Sequence, residues 1–304
     1  KEFPQSYIYT VESMRMFYMN ISFPDYTNPC FSDAKLTSKK EMVKNYKRWL
    51  KTFPENEAIR YMATLGKEGK LPENLSIAFK ESGFFVFRNS WGMDATQMVV
   101  KAGPKAFWHC QPDNGTFELW FNGKKLFADS GSYVYAGNGE VMEWRNWFRQ
   151  TRVHNTLTLG GKDLETTDSK TLLWQPEGNV LMLVTENQSY KKLKHRRSVF
   201  FVDGKYFVIV DEAVGDAKGS VNLNYQMPRG KVNNSREDMT FVTAFEPGSN
   251  MKLQCFGPDG MTMKKEEGWL STEYRKKQKR MNVSFNVKKE TNDPVRYITV
   301  ICPV

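Results

Sequence analysis

The 304-residue chain is poor in reactive side chains, with four cysteines and three histidines. Cys30, Cys110, Cys255 and Cys302 lie far apart and form no CxxC pair, which excludes a zinc ribbon or a thioredoxin-type motif. Their spacing does not demand a disulfide. HExxH and HxH are absent, and so is an easily recognised catalytic zinc site. GxSxG, P-loop and GxGxxG arrangements are missing too. Without RNP aromatics or zinc fingers, nucleic acid is not an expected partner. No apolar run reaches the length of about 18 residues that a bilayer span needs. The opening KEFPQSYIYT has neither a basic n-region nor an apolar h-region, and Met does not stand first. No signal peptide is expected there, and a processed protein or a fragment is.

What is present is ordinary in bulk and unusual in two respects. Hydrophobic residues make up 40% and charged residues 26%, as in a typical globular protein. Aromatics reach 14%. Flat rings suit strands and also stack on the apolar faces of sugars. The formal charge is +10. A basic surface fits nucleic acid, anionic lipid or an acidic polysaccharide, or serves solubility alone.

Residues 1 to about 80 have helical grammar. Ile8, Val11, Met14, Phe17 and Tyr18 recur three and four apart within Ser6 to Asn20. Ser38 is placed to cap a helix from Lys39 to about Lys51, with Glu41 completing a capping box. Pro54 and Glu55 open a further short helix to about Leu65. Three short helices with long loops read as the end of a larger helical domain or as helices packed on a sheet. From about Ala78 the period changes to two. FELWF-Asn122-Gly123-KKLFAD is a hairpin signature, and RSVFFV-Asp203-Gly204-KYFVIVDEAV repeats its grammar. Short strands continue to the end with no helical insertion read among them. The expected fold is mainly β, one large antiparallel multi-stranded sandwich of two sheets over 79–304, preceded by a helical piece over 1–78.

The chemistry concentrates between Phe107 and Asn155. His109, followed by CQPDNG, has loop character and suits proton transfer or charge stabilisation, or is a hydrogen-bonded structural residue. Asp129 in ADSGSY and His154 in TRVHNTL fall at strand ends. With the Gln111 oxygen they form either a metal site or a buried hydrogen-bonded pair. GEVMEWRNWFRQTRVHN carries Trp144, Arg145, Trp147, Arg149, Arg152 and Asn155. Guanidinium forks suit carboxylates and sulfates, and indoles suit sugar rings, although the same residues also cover sheet edges. Two basic runs, KKLKHRR from Lys191 to Arg197 and YRKKQKR from Tyr274 to Arg280, fit any polyanion or are solvated strands.

HCQPDNGTFELWFNGKKLFADSGSYVY followed by RQTRVHNTLTLGG resembles the C-terminal β-sandwich of heparinase II/III-like polysaccharide lyases. SFPDYTNPCFSDAKL resembles the end of the helical toroid that precedes this sandwich in the heparinase III, or heparan-sulfate lyase, branch. The resemblance implies cleavage of a heparan-sulfate or heparin-type glycan by β-elimination, in which a uronate C5 proton is removed and a 4,5-unsaturated sugar results. It makes His109 the catalytic histidine of the sandwich, and Arg149 and Asn155 are the expected substrate contacts. It puts one structural divalent ion, zinc or calcium, on Gln111, Asp129 and His154, with glutamine standing where the family has histidine. No organic cofactor and no membrane span are implied. The location implied is periplasmic or secreted. The family's catalytic Asn and Tyr lie in the toroid and should precede Lys1, so the expectation is a C-terminal piece of a lyase, inactive alone. The alternatives are a lyase for another acidic polysaccharide such as alginate, or a non-catalytic sugar-binding sandwich.

Overall fold

A computed structural model describes residues 3–304. Three helices come first: α1 (Gln5–Ile21), α2 (Lys39–Thr52) and α3 (Glu57–Thr64). The Ser38 hydroxyl accepts from the Glu41 N–H while the Glu41 carboxylate accepts from the Ser38 N–H, so both halves of the expected capping box form. The third helix starts at Glu57, later than Pro54–Glu55, because the Asn56 side chain accepts from Ile59 N at 2.9 Å and fixes the start there. Met19, Tyr26, Met42, Tyr46, Trp49, Ile59 and Met62 form a small core of their own.

The strands form three antiparallel sheets, one more than the sequence suggests. The first sheet is a five-stranded meander of β1 (Ile77–Phe79), β2 (Phe84–Arg88), β3 (Thr96–Lys101), β4 (Phe117–Phe121) and β5 (Lys124–Leu126). Asn122 and Gly123 both take positive φ and join β4 to β5 with Phe121 opposite Lys124, as the dipeptide predicts. Strands β2 and β3 are apolar and buried on both faces. One face packs into the main core. The other meets Ile21 at the end of α1 and Phe23 and Phe31 from the segment that follows. That second buried face makes this sheet a separate layer.

Next come helix α4 (Glu140–Phe148) and β6 (Leu157–Leu159). They are followed by β7 (Ser169–Gln175), β8 (Val180–Tyr190), β9 (Leu193–Val202), β10 (Tyr206–Val214) and β11 (Gly219–Gln226). The chain closes with β12 (Val232–Ser235), β13 (Thr240–Thr243), β14 (Met251–Phe256), β15 (Thr262–Glu273), β16 (Lys276–Lys289) and β17 (Val295–Pro303). An eight-stranded sheet runs β12-β13-β14-β17-β10-β9-β8-β7, and a four-stranded sheet runs β15-β16-β11-β6. Burial alternates strictly along β9 and β10, so one face of the large sheet is core. Tyr225 Oη donates to Thr299 Oγ1 at 2.9 Å and Tyr297 Oη to the Val221 carbonyl at 2.7 Å, which joins the large sheet to the four-stranded one. One expectation needs correction. The sandwich does contain a helix: Val141, Trp144, Arg145 and Phe148 repeat every three or four residues, with Glu140 and Glu143 in the first turn, where a helix favours acid. The YRKKQKR run is the tip and start of the long β15–β16 hairpin.

No helix among the described residues is long and apolar enough to cross a membrane. All four cysteines are free, and burial pushes the Cys30 and Cys255 thiols up to about 12, so both act as small apolar side chains. Replacing Ser38 by Ala removes a capping bond and exposes a helix N–H. The expected loss is about 1 kcal/mol, read as a lower urea midpoint at unchanged slope.

Candidate functional site

The site is built where the connections leaving β3 and β5 meet α4 and the turn before β6. Two glycines make the approach possible. Gly115 has a φ of +87°, and a Cβ there would lie 3.4 Å from both His195 Cε1 and Thr156 Oγ1. Gly131 has a φ of +77°, and a Cβ there would collide with the Ser271 carbonyl.

Between the sheets lies a buried polar seam. Arg197 Nε and Nη2 grip Asp211 at 2.7 and 3.0 Å, and Arg197 Nη1 donates to the carbonyls of Gly115 and Asn155 at 2.5 and 2.7 Å. His195 Nε2 reaches the same Asp211 carboxylate at 2.6 Å. Burial alone would raise the Asp211 carboxyl, but Arg197 and His195 outweigh it and hold it at about 2. Burial wins at His195, which is pushed down despite Asp211. The Lys191–Arg197 run is therefore only partly a surface patch, with Lys191 and Lys192 exposed and carrying no carboxylate partner among the described residues. His195 and Arg197 point inward, while Lys194 and Arg196 point outward and pair with Glu186.

Asn155 belongs to the same seam, which corrects its assignment as a substrate contact. Its Nδ2 donates to the carbonyls of Phe117 and Phe127 at 2.8 and 2.6 Å, and its Oδ1 accepts from Gln226 N at 2.7 Å. The residue is wholly buried, and both amide hydrogens and one lone pair of the oxygen are already used by the backbone.

Beside the seam, the sequence-predicted Asp129 and His154 do come together. His154 Nδ1 and Asp129 Oδ2 are 2.7 Å apart, both side chains fully buried, and Asp129 Oδ1 accepts from Gly131 N at 3.0 Å. Burial opposes a proton on His154. The charge and hydrogen bond of Asp129, with the charge of Asp113, overcome it and raise the imidazole above its ordinary value. Gln111 Nε2 donates to the Ser32 carbonyl at 3.0 Å. That leaves Gln111 Oε1 and His154 Nε2 buried with no hydrogen-bond partner among the described residues. Asp113, which the sequence did not single out, is the other carboxylate: one ligand atom each of Asp113, Asp129 and His154 lies within 4.8 Å of the others. The Lys101 ammonium binds both Asp113 oxygens at 2.6 and 2.8 Å and Ser32 Oγ at 2.7 Å. Two unpartnered acceptors beside two carboxylates fit a divalent cation.

His109 stands apart, on the exposed loop Phe107–Cys110. Its φ is +52°, an uncommon conformation for a non-glycine residue. The ring stacks on Tyr135 at 5.1 Å between centroids, and Nδ1 lies 3.4 Å from Asp33 Oδ2. Asp33 is itself paired with Arg145 of α4 at 2.5 Å. The imidazole is thus aimed from one side by a carboxylate and braced by a phenol ring, with Nε2 open to a ligand. Asp33, Tyr135 and Arg145 are residues that sequence reasoning missed as site members. Each lay in a stretch already singled out, but only the tertiary contact shows its role. Arg149 lines a cavity of about 250 Å³ with Lys101, Cys110, Gln111, Asp113 and Asp163. It caps α4 in the connection leaving β5, whereas His109 lies in the connection leaving β3, and no contact joins them directly.

A β-sandwich with a helical lead thus carries an exposed histidine loop beside a buried carboxylate–imidazole pair. The chain belongs to the heparinase II/III family: the model described as heparinase II/III-like, C-terminal, matches residues 72–298, and the heparinase II/III N-terminus model matches residues 1–61. It is 77% identical over 303 residues to a heparin-sulfate lyase of Bacteroides stercoris, covering all of this chain and 46% of that protein. The heparin-sulfate lyase of Pedobacter heparinus is 40% identical over 306 residues, again over all of this chain and 46% of the relative. A solved heparinase III superposes with a TM-score of 0.98 at 75% identity, over 99% of this chain and 47% of that one. The chain spans about half the length of the curated relatives it matches.

Arg197→Met should leave Asp211 buried without its counter-charge. The expected loss is about 3–5 kcal/mol, measured by urea unfolding at neutral pH. Because Asp211 is depressed, its share of the stability is present above the unfolded carboxylate value of about 3.9 and is lost as pH falls towards about 2. In the variant that acid-dependent share should disappear.

Proposed function

We propose that this chain is the sandwich-bearing part of a lyase that cleaves heparan-sulfate or heparin-type uronate glycans by β-elimination. The observation that carries the proposal is His109, held on an exposed, strained loop between Asp33 and Tyr135, in a chain of this family. In β-elimination the C5 proton of a uronate becomes removable once the charge of its carboxylate is neutralised, and electrostatic stabilisation of the enolate-like intermediate is the main demand. His109 Nε2 is free to take part in proton transfer, and Asp33 stabilises the imidazolium that results. Arg149 offers a guanidinium to a sugar carboxylate or sulfate. The remaining catalytic groups, an asparagine and a tyrosine by the family resemblance, would come from an upstream helical domain. Such a substrate places the enzyme in the periplasm or outside the cell.

The residues that would hold a divalent ion, zinc or calcium, are Gln111, Asp129 and His154, with Asp113 as an additional oxygen donor. When bound, the ion would supply cross-linking of the loop ends and not chemistry. Asp129 orients the His154 imidazole through Nδ1, leaving Nε2 as the donor atom, the usual arrangement of a carboxylate behind a ligating histidine. Gln111 and Asp113 also line the 250 Å³ cavity, which gives an ion a way in.

Two experiments test this. In the chain extended upstream to the length of its relatives, His109→Ala should lower kcat on heparan sulfate by about 10²–10⁴, followed by the ultraviolet absorbance of the unsaturated product. The 304-residue chain alone should release little or none. Normal turnover in the His109 variant would defeat the catalytic role, and turnover of alginate instead would change the substrate. For the ion, elemental analysis should find about one equivalent of zinc or calcium. Chelation should then lower the thermal midpoint by on the order of 5–10 °C. A metal-free chain whose melting ignores chelator would remove the site.

A further inference from the structure

The basic run Tyr274–Arg280 finds no use in the site described, and its position gives it one. Tyr274 and Arg275 form the two-residue turn of the β15–β16 hairpin, with Glu273 opposite Lys276. The tip is not a free loop. Ser271 N donates to the Ser130 carbonyl at 2.9 Å, Arg275 N to the Tyr133 carbonyl at 2.9 Å, and Leu36 N to the Thr272 carbonyl at 3.3 Å. The hairpin is thereby fastened to the segment that follows Asp129 and to the one that follows Asp33.

The side chains at the tip are arranged around exposed rings. Tyr274 is 43% exposed. Lys35 Nζ lies 4.5 Å from the centre of its ring and Arg275 Cζ 5.7 Å. Lys277 Nζ sits between two indoles, 3.5 Å from the Trp144 ring and 4.3 Å from Trp269, which meet edge to face at 5.4 Å. The neighbouring Lys276 and Lys279 are neutralised by Glu273 and Glu267. Among the described residues, Lys35, Arg275 and Lys277 have no carboxylate partner, unlike Lys264, Lys276, Lys279 and Lys288 on the same two strands.

The patch is continuous with His109. Asp33, which orients His109, is two residues from Lys35, at most about 7 Å along an extended chain. Helix α4 presents Arg145 to Asp33 and the adjacent Trp144 to Lys277. One short helix thus touches both the histidine cluster and the hairpin tip.

We propose that Lys35, Tyr274 and Arg275, flanked by Lys277, form an accessory subsite for an acidic sugar of the glycan chain, next to the His109 cluster. The Tyr274 ring supplies a face for the apolar side of a pyranose, and the cations at its rim take the sulfate or carboxylate groups. The fastening of the tip and the wedging of Lys277 mean that little side-chain freedom is lost on binding. The subsite rests on the acidic-glycan reading above and lengthens the stretch of polymer the protein engages.

The test is calorimetric titration of the 304-residue chain with size-defined heparan-sulfate oligosaccharides at several salt concentrations. The Tyr274→Ala/Arg275→Ala double variant should bind at least about tenfold more weakly, and Lys35→Ala should make affinity less steeply dependent on salt, as expected when a cation contacting a polyanion is lost. Lys264→Ala, an exposed lysine elsewhere on β15, should bind as the parent does. All these side chains are on the surface, so circular dichroism should be unchanged. Double-variant affinity within about two-fold of the parent overturns the subsite, and so does a parent chain that binds no oligosaccharide. The lyase reading is judged separately, by product release and His109→Ala in the longer chain, so either idea can fail alone.

Discussion

Arg197 carries a guanidinium with almost no access to water, and everything around the site depends on where its donors go. It grips Asp211 on the adjacent strand and donates to the backbone carbonyls of Gly115 and Asn155. Asn155 in turn binds Phe117, Phe127 and Gln226. These contacts reach one residue or more in each of the three sheets. A buried ion pair is a weak source of stability, because desolvation cancels much of its attraction. What it provides here is definition: the carbonyls it satisfies lie just before β4 and β6, where the two functional connections re-enter the sheets. An apolar replacement could fill the same volume, but it would leave those carbonyls without donors in a dry interior.

The functional residues divide into a rigid base and a strained rim. The base is the buried group of Asp113, Asp129 and His154, with Lys101 already serving as one internal cation. The rim is the loop carrying His109, whose left-handed backbone is maintained by stacking on Tyr135 and by the charge of Asp33. Strain of that kind persists only where surrounding contacts overdetermine the geometry. A divalent ion in the base would tighten the same loop ends, since Gln111 follows His109 by two residues. The proposed metal role and the proposed catalytic role are thus coupled through a few residues of chain, without the ion having to touch substrate.

Much of the scaffold was legible because local physics decides it. Asn122-Gly123 specifies its turn through positive φ at two residues, and Ser38 with Glu41 specifies a helix start through two reciprocal hydrogen bonds. Period-two alternation placed β9 and β10, and in principle it also separates inward His195 and Arg197 from outward Lys194 and Arg196. Helix α4 was missed although Val141, Trp144 and Phe148 carry its period, because its glycine cap offers no side-chain signal and its surroundings are all strand. Asn155 was misassigned because an amide that saturates three backbone groups looks, in sequence, the same as one that binds a sugar. Asp33 could not have been tied to His109, 76 positions away, by any local rule. The pairing of Asp129 with His154 was reachable only because both fall at strand ends in an ordered pattern, and Asp113 escaped because PDNG reads equally well as a turn.

The charge distribution shows why a net value of +10 is a poor guide to binding. Two basic runs of similar composition have opposite fates. In one, alternation drives His195 and Arg197 into the core and Lys194 and Arg196 onto Glu186, so that Lys191 and Lys192 alone remain exposed without an acid. In the other, a hairpin turn breaks the alternation and leaves Arg275 and Lys277, with Lys35 of another segment beside them, near aromatic rings and away from acids. Exposed ion pairs are worth little to stability, but they do cancel the field that a polyanion would feel. A cation beside a ring keeps its charge available while its aliphatic stem is held in place. Affinity for a sulfated chain should therefore follow the cations that folding leaves unpaired, and Lys35, Arg275 and Lys277 are three of these in the neighbourhood of the exposed His109.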